Sequence, residues 1–158
     1  MNAPTPAPRF EPQDPQFATR CRESFGRQAA MRTIGARLLV IGPGRTEVEL
    51  PHREDLTQQK GYLHGGIVGM IADSACGYAA YSLMPAECSL VTVEYKINML
   101  APGRGERYLA YGEVLRPGRT LSVTRAEVYA ENGARERVHV ASMQQTLMML
   151  AGRSDAPD

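Results

Sequence analysis

The chain contains no tryptophan and only three phenylalanines. A platform for stacking nucleic-acid bases is therefore not indicated, because such platforms need several exposed aromatic rings. An excess of charge is also missing, since 18 lysine and arginine residues face 17 acidic residues and the formal net charge is +1. Bulk electrostatics therefore gives no reason to expect a nucleic-acid partner.

Cysteine is scarce and scattered, at Cys21, Cys76 and Cys88. Because no C-x-x-C pair is present, the sequence predicts neither a zinc site nor a disulfide framework. Unpaired thiols fit a reducing compartment, so we expect a cytoplasmic protein.

One domain, residues 15–150, is expected between flexible tails at residues 1–14 and 151–158. The first tail has several prolines and no apolar core of the signal-peptide type. Residues 67–84 are apolar over about one bilayer span. A carboxylate near the middle of that stretch, Asp73, argues against a membrane helix.

Asp73 is the only formally charged side chain between Lys60 and Glu87. The residues around it are rich in alanine and poor in β-branched side chains, which favours a helix from about His64 to Met84. An unpaired carboxylate in apolar surroundings costs several kcal/mol. We therefore expect Asp73 to have a function, the alternative being a structural carboxylate bonded to a neighbouring group.

Hydrophobic periodicity predicts the remaining elements. Residues 15–32 have the pattern of a first helix, residues 37–41 and 46–50 that of a hairpin, and residues 90–99, 108–115, 121–131 and 138–150 that of strands. Regular alternation in the strand 90–99 would place Thr92 and Tyr95 on opposite faces. One buried helix among sequential antiparallel strands indicates an α+β fold whose sheet wraps around that helix.

Several motifs accompany this pattern. They are Leu63-His64-Gly65-Gly66, Asp73 after six further residues, Val91-Thr92-Val93-Glu94-Tyr95, Leu100-Ala101-Pro102-Gly103 and Gly118-Arg119-Thr120-Leu121. Over about residues 33–149 the chain resembles the hot-dog-fold acyl-CoA thioesterases of the PaaI type. The resemblance implies a curved antiparallel sheet around the central helix and hydrolysis of an acyl-CoA thioester, with no metal or redox cofactor. It also implies a homodimer with a continuous sheet, often paired again into a homotetramer.

The same resemblance assigns roles to individual residues. The catalytic carboxylate falls on Asp73, a side-chain amide on Gln58, and the backbone amide at the helix start on Gly65. A hydroxyl falls on Thr92, where relatives often have serine. His64 precedes the helix and is expected to orient the loop or to bond the substrate carbonyl.

The chemistry of thioester hydrolysis fits these residue types. The amides of Gly65 and Gly66 are expected at a helix N-terminus, where they lack helical partners and the dipole is positive. An oxyanion would be stabilised there, although a glycine pair can also serve close packing alone. Asp73 would act either as general base or as nucleophile, and the sequence leaves both roles open.

Coenzyme A also needs groups that hold phosphate. Arg116 and Arg119 flank a Pro117-Gly118 turn, whose backbone amides add donors, so Arg116, Gly118 and Arg119 are candidates for phosphate binding. A solvated basic face is the alternative. Candidates for lining the acyl pocket, or alternatively for ordinary core, are Met70, Tyr78, Tyr81 and Met99.

Gly65 and Asp73 stand eight positions apart on one helix. That spacing corresponds to roughly 12 Å along the axis, so both residues of one chain cannot reach the same carbonyl. If two such helices pack antiparallel about a two-fold axis, Gly65 and Gln58 of one subunit face Asp73 and Thr92 of the other. The spacing therefore indicates a homodimer with shared active sites.

Two other functions are compatible with a hot-dog domain. One is a non-catalytic acyl-CoA-binding or regulatory module, although no added DNA-binding segment is present. The other is a dehydratase or hydratase, which would need a histidine and carboxylate pair and fits the motif less well.

Overall fold

The computed structural model describes residues 10–133, 136–153 and 155. Three helices are formed, α1 (Phe17–Arg27), α2 (Ala29–Ile34) and α3 (Gly65–Tyr81), with a short 3-10 turn at Glu54–Leu56. Six strands are formed, β1 (Arg37–Gly42), β2 (Arg45–Pro51), β3 (Cys88–Met99), β4 (Arg107–Arg116), β5 (Leu121–Asn132) and β6 (Glu136–Ala151). Within these described residues, no helix is long and apolar enough to cross a membrane.

The six strands form one antiparallel sheet in the order β1-β2-β4-β5-β6-β3. Helix α3 packs across its concave face, closest at β4, where a Cβ on Gly112 would overlap the backbone of Ala75. Thr46 of β2 donates a hydrogen bond to the same Ala75 carbonyl, at 2.7 Å. These contacts fix the height of α3 above the sheet, and the expected α+β architecture, a sheet wrapped around one long helix, is confirmed.

The carboxyl end of α3 is held by Arg20 of α1. Its guanidinium donates to the carbonyls of Tyr81, Met84 and Pro85, at 3.2, 2.7 and 2.8 Å. It also lies 2.9 Å from Asp14 Oδ2. A cation thus satisfies carbonyl groups that the end of a helix leaves without partners.

The first helix differs from the expected single element. Gln28 adopts an extended conformation, with φ −66° and ψ 104°, and divides it into α1 and α2. The break turns α2 back toward α3, where Met31 and Ile34 are buried. Gln28 itself is left half-buried beside Ser74 of α3.

The segments assigned to tails are packed where the structure describes them. Phe10 packs against the core, Asp14 is buried, and the amide of Gln13 donates to the carbonyl of Leu83. Near the other end, Asp155 pairs with Arg27 at 2.9 Å. Residues 1–9, 154 and 156–158 of the expected tails lie outside the described residues.

Strand β3 contains a bulge that the sequence pattern does not reveal. Thr92 pairs with Leu147 and Glu94 with Thr146, so Val93 is an extra residue in β3. A bulge shifts the alternation of the side chains that follow it. Thr92 and Tyr95 therefore both face α3, and the expectation that they point to opposite faces is wrong.

Candidate active site

Asp73 is half-buried on the side of α3 that faces β3 and β6. Its Oδ1 accepts a hydrogen bond from Thr92 Oγ1, at 2.8 Å, and a short one from Gln145 Nε2. Gln145 Nε2 also lies 2.8 Å from Thr92 Oγ1, so the three side chains form one cluster. Both bonds go to Oδ1, and Oδ2 has no hydrogen-bond partner among the described residues.

Gln145 is the member of this cluster that the sequence reasoning missed. It lies on β6 and is fully buried, in the inward register of Ala141, Met143 and Leu147. Its Oε1 is also buried and has no partner within the described part of the chain. The sequence did contain a signal for Gln145, because it interrupts an alternating row of apolar residues in β6. Glutamine is an unusual residue to bury.

A cavity of about 180 Å³ opens beside Asp73 and Thr92. Its walls come from α3, the start of β3 and the two N-terminal helices. Tyr78 and Tyr81, two of the acyl-pocket candidates, line it. Asp73 thus stands at the wall of an open cavity, where a carboxylate can meet a bound molecule.

The start of α3 has a different arrangement from the one expected. His64 is the N-cap, and its Nδ1 accepts a hydrogen bond from the amide of Gly66 at 3.0 Å. An accepting Nδ1 leaves the proton of the neutral imidazole on Nε2. Both amides lie in the first turn of α3, and the Gly66 amide is engaged in this cap. The exposed Gly65 amide has no acceptor among the described residues, so it alone can receive a ligand oxygen.

Gln58 lies near Gly65, in a cleft of about 390 Å³ that Met99 also lines. The side-chain Oε1 of Gln58 accepts a hydrogen bond from the backbone amide of Lys60 at 2.6 Å. The backbone amide of Gln58 donates one to the carbonyl of Tyr62 at 2.8 Å. These bonds close a tight loop before α3. The side-chain Nε2 of Gln58 has no acceptor among the described residues.

Within one chain the structure therefore divides the predicted site residues into two groups. Gln58 and Gly65 line the cleft at the start of α3, and Asp73 and Thr92 line the cavity near its middle. No residue is common to the two linings. This arrangement matches the separation expected from the helix spacing.

The turn that contains Arg116, Gly118 and Arg119 lies at a third place. Gly118 and Arg119 line a cavity of about 200 Å³ with Ala80 and Leu83, beyond the carboxyl end of α3. Arg116 is exposed at the end of β4. Their role in phosphate binding stays a prediction.

A larger groove of about 560 Å³ lies on the outer face of the sheet. Arg137 stacks there on Tyr111 and Tyr129, with its guanidinium carbon 4.7 and 4.1 Å from the ring centres. None of the predicted site residues lines this groove. Size alone therefore does not identify the active site.

The cysteine thiols are poor candidates for a nucleophile. Burial raises the pKa of Cys76 and that of Cys21 to about 12, so both thiols are protonated at neutral pH. Cys88 is also buried, and desolvation raises its pKa as well. Among the described residues, no group of three or more His, Cys, Asp or Glu side chains is placed to hold a metal ion.

Residues 60–136 match the family model of the thioesterase superfamily. The chain is 49% identical to a thioesterase family protein from Silicibacter pomeroyi whose crystal structure is known. That likeness covers 86% of this chain and 99% of the other, with a TM-score of 0.84.

Two Escherichia coli proteins are also similar. The medium/long-chain acyl-CoA thioesterase YigI is 29% identical over 100 residues, which are 55% of this chain and 62% of that protein. The PaaI protein from the phenylacetic acid degradation operon is 19% identical, with a TM-score of 0.77 over 88% of this chain and 96% of PaaI. The second likeness shows the hot-dog fold expected from the sequence motifs.

Proposed function

Because the chain belongs to the thioesterase superfamily and is a thioester hydrolase, we propose that its substrate is an acyl-CoA. The observation that carries this proposal is the Asp73 cluster. A carboxylate is held there by two donors at the wall of a cavity, with one oxygen unbonded among the described residues. Such a group can accept a proton from water or attack a carbonyl carbon itself.

In the first route, Asp73 Oδ2 accepts a proton from a water whose oxygen attacks the thioester carbonyl carbon. The bonds from Thr92 and Gln145 to Oδ1 hold the carboxylate still and leave Oδ2 directed at the reaction. The tetrahedral intermediate then collapses, the carbon–sulfur bond breaks, and the CoA thiolate takes up a proton. In the second route, Oδ2 attacks the carbon directly, and the carbon–sulfur bond breaks to release the CoA thiolate, which takes up a proton. Water then hydrolyses the resulting anhydride to the free acid and the Asp73 carboxylate.

The carbonyl oxygen becomes negatively charged in either route. We propose that the Gly65 amide stabilises it, because this donor lies at the positive end of α3 and is not bonded within the described chain. His64 serves this arrangement by capping the neighbouring amide of Gly66, which fixes the first turn of the helix. Gln58 is assigned to hold the attacking water or the carbonyl from the same side.

These two groups of residues meet only if a second subunit is present. Strand β3 lies at the edge of the sheet and exposes large apolar side chains, with Val93 53%, Tyr95 48% and Met99 48% accessible. A long, apolar and uncovered edge strand is suited to pairing with another strand. We propose that two copies of β3 pair in a homodimer, which brings Gly65 and Gln58 of one subunit to Asp73 of the other. Pairing of two dimers into a homotetramer, and a cytoplasmic location, stay predictions.

A thiol-release assay over a panel of acyl-CoAs tests the proposed reaction. We expect turnover of at least one member, with free CoA and free acid released in equal amounts. If acyl-CoAs bind and none is cleaved, hydrolysis is not the function and the chain is a binding module.

Subunit mixing tests the composite site. We expect Gln58→Ala and Asp73→Asn proteins each to be nearly inactive and their mixture to recover activity. Each heterodimer has one site in which both residues are intact, and random exchange makes about half of the dimers heterodimers, so about one quarter of wild-type activity should return. Exchange is verified with two affinity tags, and absence of recovery in verified heterodimers would refute the shared site.

A further inference from the structure

We propose that the cavity beside Asp73 is the acyl pocket, and that Gln28 and Ser24 of the N-terminal helices make it select compact, uncharged acyl groups. This inference rests on the proposed hydrolysis, because it names the substrate class for the same site. Both residues lie outside residues 60–136, which match the family model.

The cavity volume limits the length of the acyl group. It is about 180 Å³, and a water-sized group in a liquid occupies roughly 30 Å³, so about six heavy atoms fit beyond the thioester carbon. Asp73 and Thr92 line it together with Gly77 and Leu90. A hexanoyl chain or one aromatic ring fills this space, and a longer chain would have to extend beyond it.

Part of the cavity wall is polar. Ser24 Oγ lies 2.9 Å from Tyr78 Oη, and Ser74 Oγ lies 3.5 Å from Gln28 Oε1. The Nε2 group of Gln28 has no acceptor among the described residues. An apolar chain that extended past Gln28 would remove water from this amide group without offering it a hydrogen-bond acceptor, which is unfavourable. The polar wall thus limits length beyond what volume alone imposes.

The charges around the cavity disfavour an anionic acyl group. Asp73 stands at one side and Asp155 at the rim, where Arg27 pairs with it at 2.9 Å. No lysine or arginine is among the described residues that line the cavity. A second carboxylate on the acyl chain would be repelled by Asp73, and the cation at the rim, Arg27, is already paired with Asp155.

Matched substrates and two opposite variants test this inference. We expect wild-type kcat/KM to be roughly tenfold or more higher for hexanoyl-CoA than for palmitoyl-CoA or for adipoyl-CoA, which adds a carboxylate. Gln28→Ala removes the side-chain amide from the cavity wall. The ratio of kcat/KM for hexanoyl-CoA to that for palmitoyl-CoA should then fall by roughly fivefold or more. Gln16→Ala, an exposed glutamine at the start of α1, should leave the preference unchanged.

Gly77→Ala makes the opposite change. A Cβ there would touch Leu90 at 3.8 Å, an ordinary contact, so the helix tolerates it while the cavity becomes smaller. We expect the ratio of kcat/KM for hexanoyl-CoA to that for butanoyl-CoA to fall by roughly threefold or more. Gly69→Ala, on the same helix and outside the cavity lining, should not move it.

The outcomes separate this inference from the proposed function. Hydrolysis that favours palmitoyl-CoA, or a preference that neither Gln28→Ala nor Gly77→Ala changes, would overturn the pocket assignment and leave hydrolysis intact. Binding of the same acyl-CoAs to Asp73→Asn protein gives a readout without turnover. Absence of cleavage, combined with a binding preference for hexanoyl-CoA that is lost in Gln28→Ala, would overturn hydrolysis and keep the pocket.

Discussion

Replacing Asp73 with asparagine is expected to lower kcat by roughly a hundred- to ten-thousandfold, the usual loss when a general base is removed. Asparagine has nearly the same shape, and its Oδ1 can still accept hydrogen bonds from Thr92 and Gln145. Its amide nitrogen, which stands where Oδ2 stood, can neither accept a proton nor attack a carbonyl. The loss should therefore appear in kcat, measured by thiol release at saturating acyl-CoA, with the thermal unfolding midpoint little changed.

Asp55→Asn is the matched control for this substitution. Asp55 is a largely exposed carboxylate that pairs with Arg53 in the 3-10 turn, and it does not line the Asp73 cavity. We expect wild-type activity in this variant. Activity in folded Asp73→Asn within a few-fold of wild type would exclude both catalytic roles of Asp73.

A single turnover in water that carries a heavy oxygen isotope tests whether Asp73 acts as the nucleophile rather than as a general base. If Asp73 attacks the thioester, hydrolysis of the anhydride can leave heavy oxygen in the Asp73 side chain, detectable by mass spectrometry of the peptide that contains it. If Asp73 activates water, all heavy oxygen appears in the free acid. Heavy oxygen in the Asp73 side chain would therefore establish direct attack by Asp73.

Gln145→Met is expected to lower kcat by roughly ten- to a hundredfold with KM almost unchanged. Methionine fills a similar volume and removes the donor to Asp73. A hydrogen bond to a charged group contributes about 1.5–3 kcal/mol, and each 1.36 kcal/mol of barrier corresponds to about tenfold in rate. Because Gln145 is fully buried and acts through Asp73, substrate binding should not depend on it.

The free energy of unfolding distinguishes a positioning role of Gln145 from a purely structural one. The Oε1 atom of Gln145 is buried without a partner in the described part of the chain, so removing it offsets the loss of the hydrogen bonds. We expect the free energy of unfolding to change by less than about 1 kcal/mol. The control is Gln144→Met, at the exposed neighbouring position of the same strand. It should change neither kcat nor the free energy of unfolding. A kcat loss that merely follows loss of folded protein would refute positioning by Gln145.

Local patterns allowed most elements to be predicted. The hairpin of β1 and β2, the helix α3 and the four later strands lie where periodicity placed them, within a few residues. The break at Gln28 was not predictable, because i, i+4 spacing continues across it, and the contact of Met31 in α2 with Ser74 in α3 joins distant segments. The capping of Gly66 was also missed, since it depends on the orientation of the His64 ring.

Part of the site was predictable because it depends on the geometry of a single helix. Gly65 and Asp73 belong to one helix, so their separation follows from helical rise alone and already requires a second helix. The hydroxyl of Thr92 was named from the motif, but regular alternation did not place Tyr95 on the same face. Gln145 stands 72 positions from Asp73, and nothing local connects them.

The sequence by itself determined an apolar helix with one carboxylate, a glycine-led start and a distance between them that one subunit cannot span. The tertiary structure decided what meets that carboxylate. The bulge at Val93 puts Tyr95 on the same face as Thr92, and the pairing of β3 with β6 brings Gln145 next to Thr92. Helix geometry is local and can be read from spacing, whereas bulges and strand register arise from pairing between distant segments.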